Sequence, residues 1–135
     1  LRDRALLRLS RKELESVALV EGGLTVVLTQ AEDGASWAIT QPPNMEADQR
    51  QALFTVNTLA ALRAFDVAPD QAFTPSGGRF VLRFRDGHSE SVDLGQAERD
   101  ADNQPLVRVR VSGRPGVYRI KATTLAELRK AFGRG

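Results

Sequence analysis

The chain has 135 residues, 41% of them hydrophobic and 27% charged, the length and balance of one globular domain that buries a core without covalent staples. It contains no Cys, which excludes disulfides and thiolate chemistry, and a single His, which argues against zinc and redox-metal centres. The net charge of +2 is unevenly spread: residues 1–68 carry 7 Lys and Arg against 9 Asp and Glu, and residues 69–135 carry 12 against 8. That balance is a weak pointer to phosphate partners, since nucleic-acid binders show a denser basic footprint.

No apolar run approaches the ~18 residues that a membrane helix needs, and the N-terminus lacks the apolar core of a signal peptide. The start at Leu1 is expected to be that of an excised domain, with any anchor or export signal upstream. Residues 1–12 alternate basic and apolar side chains (Arg2, Arg4, Leu6, Leu7, Arg8, Leu9) and are read as an N-terminal segment or linker, with the domain itself over 13–135. They serve equally as a first β segment or as the tail of a linker.

Residues 16–21 and 24–30 are β-rich runs separated by Gly22-Gly23, a pair that tolerates the positive φ of a two-residue hairpin. After the turn-like Glu32-Asp33-Gly34, residues 36–40 alternate Trp37 and Ile39 against small or polar neighbours, which predicts a third antiparallel strand and a core position for Trp37. Pro42 and Pro43 end it.

A helix is predicted from Asp48 to about Phe65, with Asp48 and Gln51 at capping-box spacing. At ~100° per residue, Ala52, Leu53, Val56, Leu59 and Ala60 form one stripe, and Phe54, Leu62 and Phe65 gather on the opposite side. A helix apolar on both flanks is expected to be covered by β structure on both; the other reading makes the second stripe a docking surface. Residues 69–78, with the single apolar anchor Phe73, read as a surface connection.

Residues 79–85 alternate, and Asp86-Gly87 turns them into a return strand over residues 89–94. Residues 96–105 are polar, acidic and aperiodic, which predicts a mobile loop. Residues 106–112 place Val107, Val109 and Val111 opposite Arg108 and Arg110, and a turn at residues 112–116 leads to a strand over 117–121. A short helix closes the chain, with Thr124 and Glu127 at capping-box spacing, Leu125, Leu128 and Phe132 as its stripe and Gly133 as its stop. The fold class is therefore α+β, mostly antiparallel, in the order β-β-β-α-β-β-β-β-α. Its halves echo each other in element order without a residue-level repeat.

The residues with side chains suited to chemistry do not assemble into a catalytic set. His88 follows the Asp86-Gly87 tip and reads as an exposed turn residue, with no G-x-S-x-G elbow to serve. Asp100-x-Asp102-Asn103 has calcium-type residues but lacks the Gly and distal Glu of the calcium loop. Ser76-Gly77-Gly78 is not followed by Gly-Lys-Ser/Thr and leads into a strand, so it is no phosphate cradle. Glu90 with Asp93, and Glu13 with Glu15, are acids such as any wet surface supplies. No catalytic, metal or cofactor residue is assigned.

The interaction face expected from alternation comprises Arg79, Arg83, Arg85, Arg108, Arg110, Arg119 and Lys121 on one side of the C-terminal sheet. It suits an acidic protein, anionic lipid headgroups or phosphates, but base stacking needs aromatics among the cations, and Phe80, Phe84 and Tyr118 alternate to the other side.

The stretch from Trp37 to Pro42, Ala47-Asp48 opening a helix with residues 59–63 near its end, the Asp86-Gly87 hairpin running to Leu94-Gly95, Val107-Arg108-Val109, and residues 117–120 together resemble the bacterial domain of unknown function family 4340, over about residues 14–132. Members of that family typically follow an N-terminal membrane anchor outside the cytoplasm, and some are similar to auxiliary components of gliding-motility transport systems. The resemblance implies an extracytoplasmic, periplasmic-side binding module of a membrane-anchored envelope protein, soluble as this fragment, with a protein partner in the envelope, no cofactor and no catalysis. A nucleic-acid-binding module using the basic sheet face is the first alternative, and a carboxylate-dependent hydrolase is the second.

Overall fold

The computed structural model describes residues 13–32, 36–41 and 46–133. The expectations for the N-terminal segment 1–12, for the tip of the turn at Asp33-Gly34 and for the Pro42-Pro43 stop lie outside these residues. The described chain forms β1 (Leu14–Glu21), β2 (Leu24–Gln30), β3 (Trp37–Gln41), α1 (Gln49–Ala60), β4 (Asp66–Val67), β5 (Arg79–Phe84), β6 (Ser89–Arg99), β7 (Pro105–Val111), β8 (Arg114–Lys121) and α2 (Ala122–Lys130). The strands make one antiparallel sheet in the order β3-β2-β1-β5-β6-β7-β8-β4, so the α+β class and the predicted element order hold.

The sheet is two meanders joined back to back. β1 and β5 pair in the middle with Val17 opposite Leu82, and each meander runs outward from that seam through consecutive hairpins. Both turn pairs named from the sequence work as expected, with Gly22, Gly23 and Gly87 all at positive φ. Both helices pack on one face, where alternate residues of every long strand, such as Leu19, Leu28, Phe80, Leu94, Val109 and Ile120, join Val56, Leu59, Leu125 and Phe132 in a single core. Trp37 is buried there, as its alternation predicts.

Asp48 caps α1 by accepting the Gln51 N–H at 3.2 Å, while the Gln51 side chain donates to the Glu127 carbonyl at 3.3 Å instead of returning to the cap. Thr55 Oγ1 also donates to α2, at the Leu128 carbonyl, so two polar side chains set how the helices meet. The helix stops at Ala60, five residues short of the expected end, because the following backbone is taken by the sheet. Phe65 N–H bonds the Arg119 carbonyl at 2.7 Å, Ala68 N–H bonds the Val117 carbonyl, and Asp66–Val67 between them become an edge strand on β8. Leu62 and Phe65 thus lie outside the helix, and of the second stripe only Phe54 remains on it, 48% exposed. Cover on both flanks of the helix is not what the described residues show.

Two further local expectations are corrected. β6 does not end at Leu94: a bulge between Leu94 and Ala97 reverses the alternation, and the strand continues to Arg99 against β7, so half of the expected mobile loop is strand. The remaining tip is built by Asp100, whose carboxylate accepts the N–H of Asp102 and of Gln104. At α2, Lys121 occupies the cap position with no side-chain hydrogen bond, and Thr124 lies inside the helix rather than at its start.

The packing separates two apolar residues of α1 by outcome. Leu59→Ala should cost about 3 kcal/mol in equilibrium urea unfolding because the side chain is fully enclosed, whereas Phe54→Ser should cost under about 1 kcal/mol.

Candidate functional site

The sheet face away from the helices is divided in two. Over β6, β7 and β8 it is crossed by residues 66–78, which run from the β4 edge back to the start of β5. Gln71 holds this crossing segment down. Its side-chain amide donates to the Ala68 and Val117 carbonyls at 2.7 and 3.0 Å and accepts the Val117 N–H at 2.8 Å, and it does so from a left-handed backbone. Phe73 lies farther along against Gly95, where a Cβ would sit 2.7 Å from the Phe73 ring, so the bulge residue has to be glycine for the segment to lie this close.

Beneath the segment, Leu106, Val117 and Ala68 are buried apart from the main core, and with them Arg108 and Arg119, only 5% and 8% exposed. Arg108 Nε donates to both oxygens of Glu98 at 3.0 and 3.1 Å, and its Nη1 reaches Asp70 and, at 2.8 Å, the Ala72 carbonyl. Arg119 grips Asp66 with two nitrogens, Nε at 2.6 Å and Nη2, and Nη1 donates to Glu98 at 3.1 Å. Glu98 is therefore shared between two guanidiniums, and the crossing segment supplies the other two carboxylates. Hydrogen bonds donated by Arg108 hold the carboxyls of Glu98 and Asp70 below their ordinary range, and the hydrogen bonds that Arg119 donates to Asp66 and Glu98 hold its proton more tightly.

Six of the seven cations expected on one face, Arg79, Arg83, Arg108, Arg110, Arg119 and Lys121, do share the sheet face away from the core by alternation. Arg108 and Arg119 are withdrawn from any contact surface because three carboxylates and a carbonyl occupy them. Arg79 Nε is bonded to Asp93 at 2.6 Å, and Lys121 lies 5.9 Å from the centre of the Phe65 ring. Arg85 falls past the end of β5 and donates to Gln30 at 3.1 Å, on the helix side of the sheet. Arg83 and Arg110 make no ion pair among the described residues, and Arg110 lies over Phe73 at 4.4 Å.

The half of the face over β1, β2 and β5 is open. Ser16, Ala18, Val20, Thr25, Val27, Thr29 and Val81 floor a hollow of about 480 Å³ with Glu15, Gln41 and Arg83 at its margins. A second hollow of about 330 Å³ continues it past Val20 and Val81 to Phe73, Arg79 and Arg110. Sequence reading missed this trough because its residues alternate with core residues on the same strands and look like an ordinary wet face. The signal available was their smallness: Ser, Ala, Thr and Val with no long polar side chain between Glu15 and Arg83 on adjacent strands.

The remaining candidates resolve as turn and surface chemistry. His88 stacks flat on Phe84 at 4.2 Å and its Nδ1 lies 2.5 Å from Asp86, all at an exposed hairpin tip. Ser112 Oγ donates to Glu90 at 2.7 Å, and Gly77 turns the chain into β5. Among the described residues no group of three His, Asp or Glu is placed to hold a metal ion, and no helix is long and apolar enough to cross a membrane. Comparison with protein-family models, with curated proteins and with solved structures finds no match for this chain.

The clamp has a pH signature with a definite sign. Carboxyls whose pKa is lower in the folded state add stability above their unfolded pKa, and that stability is lost as pH falls through the folded value. Thermal midpoints should be level from about pH 8 to 5.5 and fall below about pH 4.5, the ordinary range of Asp and Glu. Glu98→Gln should flatten part of that acid limb and cost about 2 kcal/mol at pH 7, less than a fully enclosed pair because Glu98 keeps some contact with water. Urea unfolding of the variant against pH measures both.

Proposed function

We propose that this chain is a non-catalytic binding domain of an envelope protein, carried outside the cytoplasm and attached to the membrane through sequence upstream of it. One observation carries the binding half of this reading: the sheet is covered by helices on one face and by the crossing segment on half of the other, which leaves a continuous concave trough over β1, β2 and β5. A trough of about this size, floored by small residues and rimmed by a few charges, suits recognition.

The acids support the non-catalytic half. A general acid at neutral pH needs a raised pKa, whereas Glu98 and Asp70 are lowered and committed to arginines. The location rests on the resemblance of about residues 14–132 to the bacterial domain of unknown function family 4340, whose members typically follow an N-terminal membrane anchor outside the cytoplasm.

Two measurements test the two halves. A photoreactive residue at Val81 or Val27 of the full-length protein should give a discrete adduct in cells, and one at Arg50 on α1 should give none. Absence of adducts at both trough positions removes the binding reading. A reporter active only outside the cytoplasm, fused after residue 135 in the full-length protein, should be active; an expressed but silent fusion removes the envelope location.

A further inference from the structure

The trough carries its own statement of ligand chemistry, which deepens the binding reading above and rests on it. Its floor has no charge, and its only unpaired cations among the described residues are Arg83 at one end and Arg110 at the other. Arg79 lies directly across from Asp93, which is directly across from Arg110, and the Arg79–Asp93 pair accounts for the two charges between.

The separation of the two free guanidiniums follows from the ladder. Arg83 is four positions along β5 from Arg79, about 13 Å, and β7 is two strands over, about 10 Å, which puts Arg83 and Arg110 roughly 16 Å apart on the diagonal. An extended peptide covers that distance in about five residues. Between the two ends the diagonal crosses β6 at Ser91, directly across from Val81, and these short side chains match a small aliphatic or hydroxyl side chain from above.

We propose that the open face binds an extended acidic segment of a protein partner, with two carboxylates about five residues apart seated on Arg83 and Arg110. The shape favours this ligand over the other anions that the two arginines would attract. A bilayer is flat and does not reach the floor of a hollow, whereas a single extended chain does. A polyphosphate backbone places charge at every residue and meets Glu15 and Asp93 beside the two cations, with Phe73 already under Arg110 and so not free to stack a base. Two charges at fixed spacing with neutral residues between them match the face best.

Display selection of random peptides of about twelve residues against the purified 135-residue chain tests the assignment. Enriched peptides should carry two Asp or Glu four to six residues apart, and Arg83→Glu and Arg110→Glu should each weaken them at least tenfold while Arg50→Glu leaves them unchanged. Selection against Arg83→Glu should exchange one acid for Lys or Arg. Arg110→Gln removes the charge without placing a carboxylate on the face, so its loss of affinity is expected even where the reversal unfolds the chain, and circular dichroism distinguishes the two.

Enrichment of neutral or basic peptides, or indifference to both reversals, overturns the proposal. So does Arg83-dependent binding to phosphatidylglycerol vesicles or to an oligonucleotide without selection of paired acids, which assigns the face to lipid or nucleic acid. If the Val81 adduct forms in cells and survives both reversals, binding stands and this ligand class falls; if no adduct forms at either trough position, the binding reading falls with it.

Discussion

Two guanidiniums enclosed beneath a loop cannot stand without carboxylates, and this requirement organises the outer face of the molecule. Arg108 and Arg119 face one another across β7 and β8, and the long strands offer them only Glu98. The missing negative charge comes from Asp66 and Asp70, which fixes where the chain must travel after α1. It explains why the helix ends at Ala60, why Asp66–Val67 become an edge strand, and why residues 69–78 cross the sheet instead of looping into water. The same crossing marks where the trough ends, because Phe73 and Pro75 form its far wall.

Much of the architecture was legible because local signals agree with one another. Gly22-Gly23 and Asp86-Gly87 each sit between alternating runs and each makes a hairpin with the predicted register of faces. The errors arise where a tertiary contact overrides the local pattern. Leu62 and Phe65 fit a helical stripe, yet the pairing of residues 65–68 with β8 competes for the same backbone and wins. Residues 95–99 lose their period of two because a bulge at Gly95 shifts the parity, and a parity shift reads as a loop.

The candidate face shows the same limit in another form. Alternation established that Arg79, Arg83, Arg108, Arg110, Arg119 and Lys121 share a side of the sheet, but alternation assigns only the side. What covers that side is decided by a segment more than thirty residues distant from Arg108 and about fifty from Arg119. The neighbours held a hint: Leu106 and Val117 take the same face as the buried arginines, and two apolar residues there are odd for a solvated surface. The acids of the connection, Asp66 and Asp70, were the other half of that hint.

The seam between β1 and β5 also governs how this molecule comes into being. Nearly every other strand pairing joins consecutive segments and closes over a short turn, whereas Val20 meets Arg79 only after a loop of roughly 60 residues is closed, at an entropic cost of about 3 to 4 kcal/mol. Each meander is thus a local assembly, and the join between them, which also brings α1 to α2 and residues 65–68 to β8, is the slow event expected in folding. Until it forms, β1 and β5 are both bare strand edges lined by Val17, Leu19, Phe80 and Leu82, so the nascent chain is most prone to pair with another copy of itself at the very place that is most protected in the finished sheet.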